Sequence, residues 1–93
     1  MRIAALRVEL EITDGRTLKD KRQVVRSLLD RIRGRFNVSA AEVANNDSVR
    51  YATLAAVAVA NEASFLDKMM SKVGDLIESE PRVLVLSREQ EFI

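Results

Sequence analysis

Residues 16–35, RTLKDKRQVVRSLLDRIRGR, decide the predicted fold, because they form one long amphipathic helix between two strand-like segments. At about 100° per residue the apolar side chains of this stretch share one face. They are Leu18, Val25, Leu28, Leu29, Ile32 and, just beyond the stretch, Phe36. The segment holds eight basic and two acidic residues, a net charge of +6, whereas the rest of the chain balances to −5. A nearly neutral protein therefore concentrates its positive charge on one helix, which we predict to be its contact surface.

The flanking sequence predicts four strands and a second helix. Four segments have strand-like patterns: residues 3–12, 36–43, 51–60 and 83–89. The first alternates cleanly between apolar and polar positions, and the third is small or apolar on both faces, which is typical of a central strand covered on both sides. The second helix is predicted to be capped by Asn61 and ended by Pro81. Residues 91–93 are expected to fray.

The resulting order is β-α-β-β-α-β. This order is typical of a ferredoxin-like α+β plait, in which two helices cover one face of a four-stranded antiparallel sheet. Right-handed crossovers place the first and third strands in the middle. The length of 93 residues predicts a single domain, residues 1–93. Thr17 and Asp20 have the spacing of a capping box at the start of the basic helix.

One face of the predicted sheet has no helix to cover it. Several small or apolar residues are expected there: Ala5, Thr53, Ala55, Val57, Val59 and either Val83 or Leu84. Exposed apolar patches of more than a few hundred Å² usually mark an interface, so we predict a homodimer formed through this face. The alternative is that Arg7, Glu9 and Glu11 make the face polar enough to remain in water.

The composition argues against an enzyme. The chain has no cysteine and no histidine, so it lacks thiolate ligands, the commonest nitrogen ligand and the commonest general base. Glu9 and Glu11 fit cross-strand pairing with Arg7 better than acid–base catalysis. We therefore expect no catalytic residue, metal or cofactor. The charged, alternating first residues do not resemble a leader peptide, and the absence of cysteine fits a cytoplasmic location.

Four basic side chains fall within about 60° of one another on a helical wheel, beside the apolar arc: Lys19, Arg22, Arg26 and Arg33. Such a row can follow a phosphate backbone, so we predict these four residues as nucleic-acid contacts. The alternative is a solvated face, in which arginine stems cover apolar surface and Asp30 pairs with Arg26 or Arg33. An acidic protein partner is a third option.

Lys21 differs from the other basic residues because it projects into the apolar arc of the helix. Near a helix N-terminus, Lys21 and Arg16 could bind an anion. The structural alternative, which we favour, is a buried lysine paired with a carboxylate from a neighbouring strand, for which Glu42 is the candidate.

Two stretches resemble the YlxP-like family of small bacterial proteins. Residues 17–43, TLKDKRQVVRSLLDRIRGRFNVSAAEV, resemble its Ser/Thr-Leu-Lys-Glu/Asp-Lys-Arg start, its helix, and its Arg-Phe-Asn-Val-Ser and Ala-Glu-Val segments. Residues 51–61, YATLAAVAVAN, resemble its Ala-Thr-Leu strand before an Asn-capped helix. The resemblance implies a ferredoxin-like fold without an established activity. Members are encoded near transcription and translation factors, including a ribosome-binding factor, which implies work on RNA or ribosomes.

This chain departs from its relatives in the loop between the second and third strands. Many of them carry a tryptophan near Val49 and a basic residue near Tyr51. We therefore transfer no binding role to that loop.

The sequence thus predicts a cytoplasmic binding protein that associates with RNA or ribosomes through its first helix. The alternative is a homodimeric regulatory module that binds a protein or a small anion and ignores nucleic acid. An RNA-recognition motif would stack bases on aromatic residues of its central strands. Tyr51 is the only aromatic residue in the two strands predicted to be central, so RNA contact is assigned to the helix.

Overall fold

The computed structural model describes residues 1–93 and contains the six predicted elements in the predicted order. They are β1 (Arg2–Ile12), α1 (Leu18–Arg35), β2 (Ser39–Ala44), β3 (Tyr51–Ala60), α2 (Ala63–Glu78) and β4 (Val83–Phe92). The four strands form one sheet in the order β2-β3-β1-β4, and every neighbouring pair is antiparallel. The ferredoxin-like α+β plait is confirmed, with β1 and β3 in the middle.

Both helices pack on the same face of the sheet. The alternating pattern of β1 places its even-numbered residues from Ala4 to Ile12 in the core, as predicted. The apolar face of α1 is buried against them through Val24, Val25, Leu28, Leu29 and Ile32. Because each fully buried aliphatic side chain contributes about 1.5–3 kcal/mol relative to exposure, this apolar face determines which face of α1 remains in solvent.

The capping box at the start of α1 is confirmed. The Thr17 Oγ1 atom accepts a hydrogen bond from the Asp20 N–H at 3.1 Å, and the Asp20 carboxylate accepts from the Thr17 N–H at 3.2 Å. The same carboxylate accepts from the Arg16 N–H at 3.0 Å, and this bond is the largest cause of the lowered pKa of Asp20. The backbone N–H of Asp20 in the first turn of α1, and those of Arg16 and Thr17 just before it, are thus satisfied within the chain.

The ends of three elements differ from the prediction. The N-cap of α2 is Glu62, not Asn61, and its side chain makes no capping hydrogen bond. β2 begins only at Ser39, because the N–H of Phe36 still bonds to the Ile32 carbonyl and ends α1. The chain end does not fray, since β4 pairs with β1 as far as Phe92 opposite Ala4.

β3 is central in the sheet but is covered on one face only. Ala52, Leu54, Ala56 and Ala58 are buried under the helices. On the opposite face Val59 is 62% exposed, whereas Thr53, which was predicted to be exposed there, has no exposed surface. The prediction of cover on both faces was therefore wrong: small side chains on β3 do not require a second layer.

Candidate functional site

Lys21 is part of the core. Its side chain has no exposed surface, and its Nζ atom lies 2.7 Å from Glu42 Oε2 in β2. The ammonium also donates a hydrogen bond to the Asn45 carbonyl. The predicted pairing with Glu42 is confirmed, and it joins α1 to the end of β2.

The loop that receives Lys21 is shaped for this contact. Asn45 follows β2 and is the one non-glycine residue with a positive φ, 63°. Asparagine tolerates this left-handed conformation better than most residues. Its amide donates a hydrogen bond of 2.9 Å to Thr53 Oγ1, so the turn is tied back to β3.

The alternative anion site of Arg16 and Lys21 is not assembled. Lys21 has no surface that a dissolved anion can reach, and both of its acceptors come from the protein. Arg16 is exposed, and its backbone N–H is already bonded to Asp20.

Three of the four predicted contact residues lie together on the surface of α1. Lys19, Arg22 and Arg26 are exposed and, with Gln23, line a shallow concavity of about 250 Å³. None of the three basic side chains forms an ion pair. We call Lys19, Arg22 and Arg26 the α1 stripe.

Arg33 belongs to a different environment. Its Nη2 atom donates a 2.6 Å hydrogen bond to the Ala40 carbonyl of β2, so its guanidinium helps to hold the helix against the edge strand. Asp30 forms no ion pair with Arg26 or Arg33. The intrahelical pairing that would have neutralised the α1 stripe is absent.

Unpaired positive charge is concentrated on the helical layer. Of the fifteen basic side chains, six form ion pairs and nine do not. The nine are Arg2, Arg16, Lys19, Arg22, Arg26, Arg33, Arg35, Lys68 and Lys72. All but Arg2 lie on α1, on α2 or just before α1. The charge asymmetry of the sequence is thus a property of one side of the molecule.

Besides Lys21, Arg31 is the one basic residue of α1 that forms an ion pair, and no sequence pattern indicated its partner. Its Nη2 atom lies 2.7 Å from Glu80 Oε1, and Arg82 contacts the same carboxylate at 2.8 Å. Glu80 is only 5% exposed. Its hydrogen bonds from Arg82, helped by the charge of Arg31, lower its pKa from 4.5 to about 2. The pair ties α1 to the connection between α2 and β4.

Because the folded-state pKa of Glu80 lies below the unfolded value of 4.5, its ionisation stabilises the fold above about pH 4.5, and this contribution is lost towards pH 2. Glu80→Gln is therefore expected to cost about 2 kcal/mol at pH 7 and little near pH 2. Urea unfolding between these pH values measures the difference. Glu62→Gln, at an exposed residue without an ion pair, is the control. A pH-independent cost of Glu80→Gln would contradict the assignment.

Arg88 occupies a space that a glycine leaves open. Its guanidinium lies against Gly74 of α2, where an added Cβ would come within 2.2 Å of Nη2. It donates to the Ser71 carbonyl at 3.1 Å and contacts Asp75 at 3.0 Å. A glycine inside an amphipathic helix was the only sequence signal for this close approach.

The open face of the sheet has two apolar corners with a charged row between them. Val57 and Val59 are exposed near the start of β1, and Leu84 and Leu86 are exposed towards its end. Val83, the other residue offered for this face, packs against the core. The charged row between the corners includes Glu11, which forms an ion pair of 3.0 Å with Arg50.

No three acidic side chains converge closely enough to hold a metal ion. Neither helix is long and apolar enough to cross a membrane.

The family model that matches residues 3–90 describes a protein of unknown function, DUF503. The chain belongs to this family. It is 31% identical over 75 residues to the uncharacterized protein YlxP of Bacillus subtilis (strain 168), a match that covers 81% of this chain and 82% of that protein. The resemblance to YlxP-like proteins is confirmed.

Two solved structures match the chain at low similarity. One is a REP-associated tyrosine transposase bound to a REP hairpin, with 11% identity, a TM-score of 0.44, and coverage of 99% of this chain. The other is LarC2, the C-terminal domain of a cyclometallase involved in the synthesis of the NPN cofactor of lactate racemase, with 9% identity, a TM-score of 0.44 and full coverage. This chain spans 56% of each of them, and neither likeness bears on what it binds.

Proposed function

We propose that this protein is a cytoplasmic, non-enzymatic binding protein that contacts RNA, free or within the ribosome, through the α1 stripe. The observation that carries the proposal is the absence of any ion pair at Lys19, Arg22 and Arg26. Six of the other twelve basic side chains form ion pairs. Exposed guanidinium and ammonium groups in a row can contact successive phosphates of a nucleic-acid backbone.

Two features favour the helix over the sheet as the RNA surface. The central strands carry only one aromatic residue, Tyr51, which lies at the end of β3 and stacks against Arg50 at 5.6 Å. Bases bound on a sheet need aromatic platforms. On the open face Glu9 and Glu11 pair with Arg7 and Arg50, so this face offers phosphate less unpaired positive charge than α1 does.

The alternative, an anion-sensing regulatory module, has lost its candidate site, because Lys21 is enclosed by its protein partners. A partner protein with an acidic surface would use the same α1 stripe. The two partners therefore have to be distinguished by experiment, by comparing salt-dependent binding of RNA with the capture of a protein partner.

Affinity purification from native cytoplasm, with and without ribonuclease, separates these functions. If the proposal holds, ribosomal proteins co-purify with the chain and are lost after nuclease treatment. Purified protein is also expected to bind a structured RNA near 100 mM salt, more weakly as salt rises. One stoichiometric protein that survives the nuclease, together with no RNA binding, would support the alternative.

We also propose that the protein is a homodimer through its open sheet face. The apolar corners lie at opposite ends of β1, since Val59 pairs with Ile3 and Leu84 pairs with Glu11. A two-fold axis in the plane of the interface can place the Val59 corner of one copy on the Leu84 corner of the other. Such an isologous contact buries both corners at once.

Light scattering at low micromolar concentration is expected to give a dimer for the wild type and a monomer for Val59→Lys, because a lysine there places unpaired charge in the apolar contact. Val49→Lys, at an exposed apolar residue of the β2–β3 loop, should remain a dimer. Only monomer in the wild type would rule out the proposed interface.

A further inference from the structure

A groove of about 380 Å³ lies where the end of α1 meets the first turns of α2. Its apolar lining consists of Phe36, Val59, Phe65 and Met69. Phe65 is 58% exposed, although Leu66 beside it is fully buried. The chain has only four aromatic residues, and two of them line this groove. An aromatic ring with a free face is therefore held in a concave site.

The rest of the groove is basic. Arg35, Lys68 and Lys72 line it, and none of them forms an ion pair. On α2, Lys68 and Lys72 follow Phe65 by three and seven residues, so all three side chains lie on one face of the helix. Asn37 adds an exposed amide.

The acidic residues of α2 lie on its other side. Asp75 and Glu78 contact Arg88 of β4 at 3.0 and 3.3 Å, and Asp67 accepts a hydrogen bond from Gln90 of β4. No carboxylate lines the groove. The helix thus separates its charges, and its positive side faces the groove with nothing to neutralise it.

We propose that this groove receives an unpaired nucleotide of a bound RNA. The base stacks on Phe65, the amide of Asn37 hydrogen-bonds to the base edge, and Arg35, Lys68 and Lys72 contact the flanking phosphates. Stacking on aromatic rings combined with basic side chains is the usual chemistry of single-strand binding. The volume is at the lower end of the roughly 300–1,000 Å³ range of small-ligand pockets, which suits one nucleotide better than a docked helix.

The inference rests on the proposed RNA-binding function and adds a preference for single-stranded segments. Arg35 is the last residue of α1, so the groove begins where the basic helix ends. A duplex contacting the α1 stripe could thus continue into the groove as a single strand.

Fluorescence anisotropy with two RNAs tests the groove: a blunt hairpin, and the same hairpin with a short single-stranded overhang. The wild type is expected to bind the overhang RNA more tightly. Phe65→Leu, which keeps apolar contact but removes the ring, should lose roughly 5- to 150-fold for the overhang RNA, the range that one stacked base provides, and leave blunt-hairpin binding unchanged. Phe65→Trp should retain the preference.

Phe92→Leu is the matched control, because Phe92 is also an exposed phenylalanine but lies on β4, outside the groove. Equal binding of the two RNAs by the wild type would overturn the groove assignment and leave the α1 stripe intact. Binding of neither RNA would overturn both proposals. Capture of an acidic helical peptide that depends on Phe65, without an overhang preference, would assign the groove to a protein partner and overturn the inference.

Discussion

Lys21→Met is expected to destabilise the domain by about 2–4 kcal/mol, although methionine keeps most of the buried aliphatic contact. The substitution leaves Glu42, which is only 14% exposed, without its cation. It also removes the hydrogen bond to the Asn45 carbonyl. A small domain has about 5–15 kcal/mol of total stability, so this loss is a large part of it. Urea unfolding monitored by circular dichroism measures the change.

Lys19, two residues earlier on the same helix, supplies the control. Lys19→Met makes the same chemical change on an exposed turn of the same helix, and it is expected to alter stability by no more than about 0.5 kcal/mol. If Lys21→Met were equally mild, the side chain of Lys21 would have to lie in solvent rather than in the core.

A double variant separates the stability cost of leaving Glu42 unpaired from the cost of losing the Lys21 ammonium. In Lys21→Met with Glu42→Leu, no buried charge remains, and replacing a buried ion pair by apolar residues is often neutral. The double variant is therefore expected to recover most of the stability lost in Lys21→Met. A double variant that is as unstable as the two single losses added together would mean that the residues act independently.

The fold was predictable because its signals are local and redundant. The alternation of β1 and the apolar face of α1 each bury one face, and packing the helices on one face of the sheet satisfies both. The capping box at Thr17 needs residues only three apart. Strand ends were less predictable, because pairing to a neighbour decides them. β4 extends to Phe92 since β1 is long enough to pair with it.

The site was predictable only in part. The burial of Lys21 followed from its place in the apolar arc of α1, and Glu42 was the nearest acidic residue on the adjoining strand. The roles of Arg31 and Arg33 did not follow, because their partners are set by tertiary packing. Glu80 is 49 residues from Arg31, and the Ala40 carbonyl is a backbone group that no side-chain pattern indicates.

These contacts change which residues a binding experiment should alter. Arg33 supports the packing of α1 on β2, so its charge reversal would confuse loss of binding with loss of stability. Arg22 and Arg26 are exposed and have no partner, so their reversal costs no folded-state contact.

Arg22→Glu with Arg26→Glu is expected to weaken binding to a structured RNA by on the order of 100-fold near 100 mM salt, with unchanged thermal unfolding. Two phosphate contacts are removed, and two repulsive charges replace them. The plot of log affinity against log salt should become shallower by about two, because about one counterion is released per phosphate contact. Anisotropy titrations over a salt series measure both quantities.

Arg2→Glu with Arg7→Glu is the matched control, because it changes the net charge equally but on β1, away from the α1 stripe. Both residues are exposed, and their contacts, an ion pair of 3.6 Å between Arg7 and Glu9 and the approach of Arg2 to the Phe92 ring, are surface contacts of small energy, so the fold should tolerate the change. If attraction is local to α1, this variant keeps the salt slope of the wild type and loses only a small part of its affinity. Equal weakening by both variants would show that net charge alone attracts the RNA. The α1 stripe would then not be the contact surface.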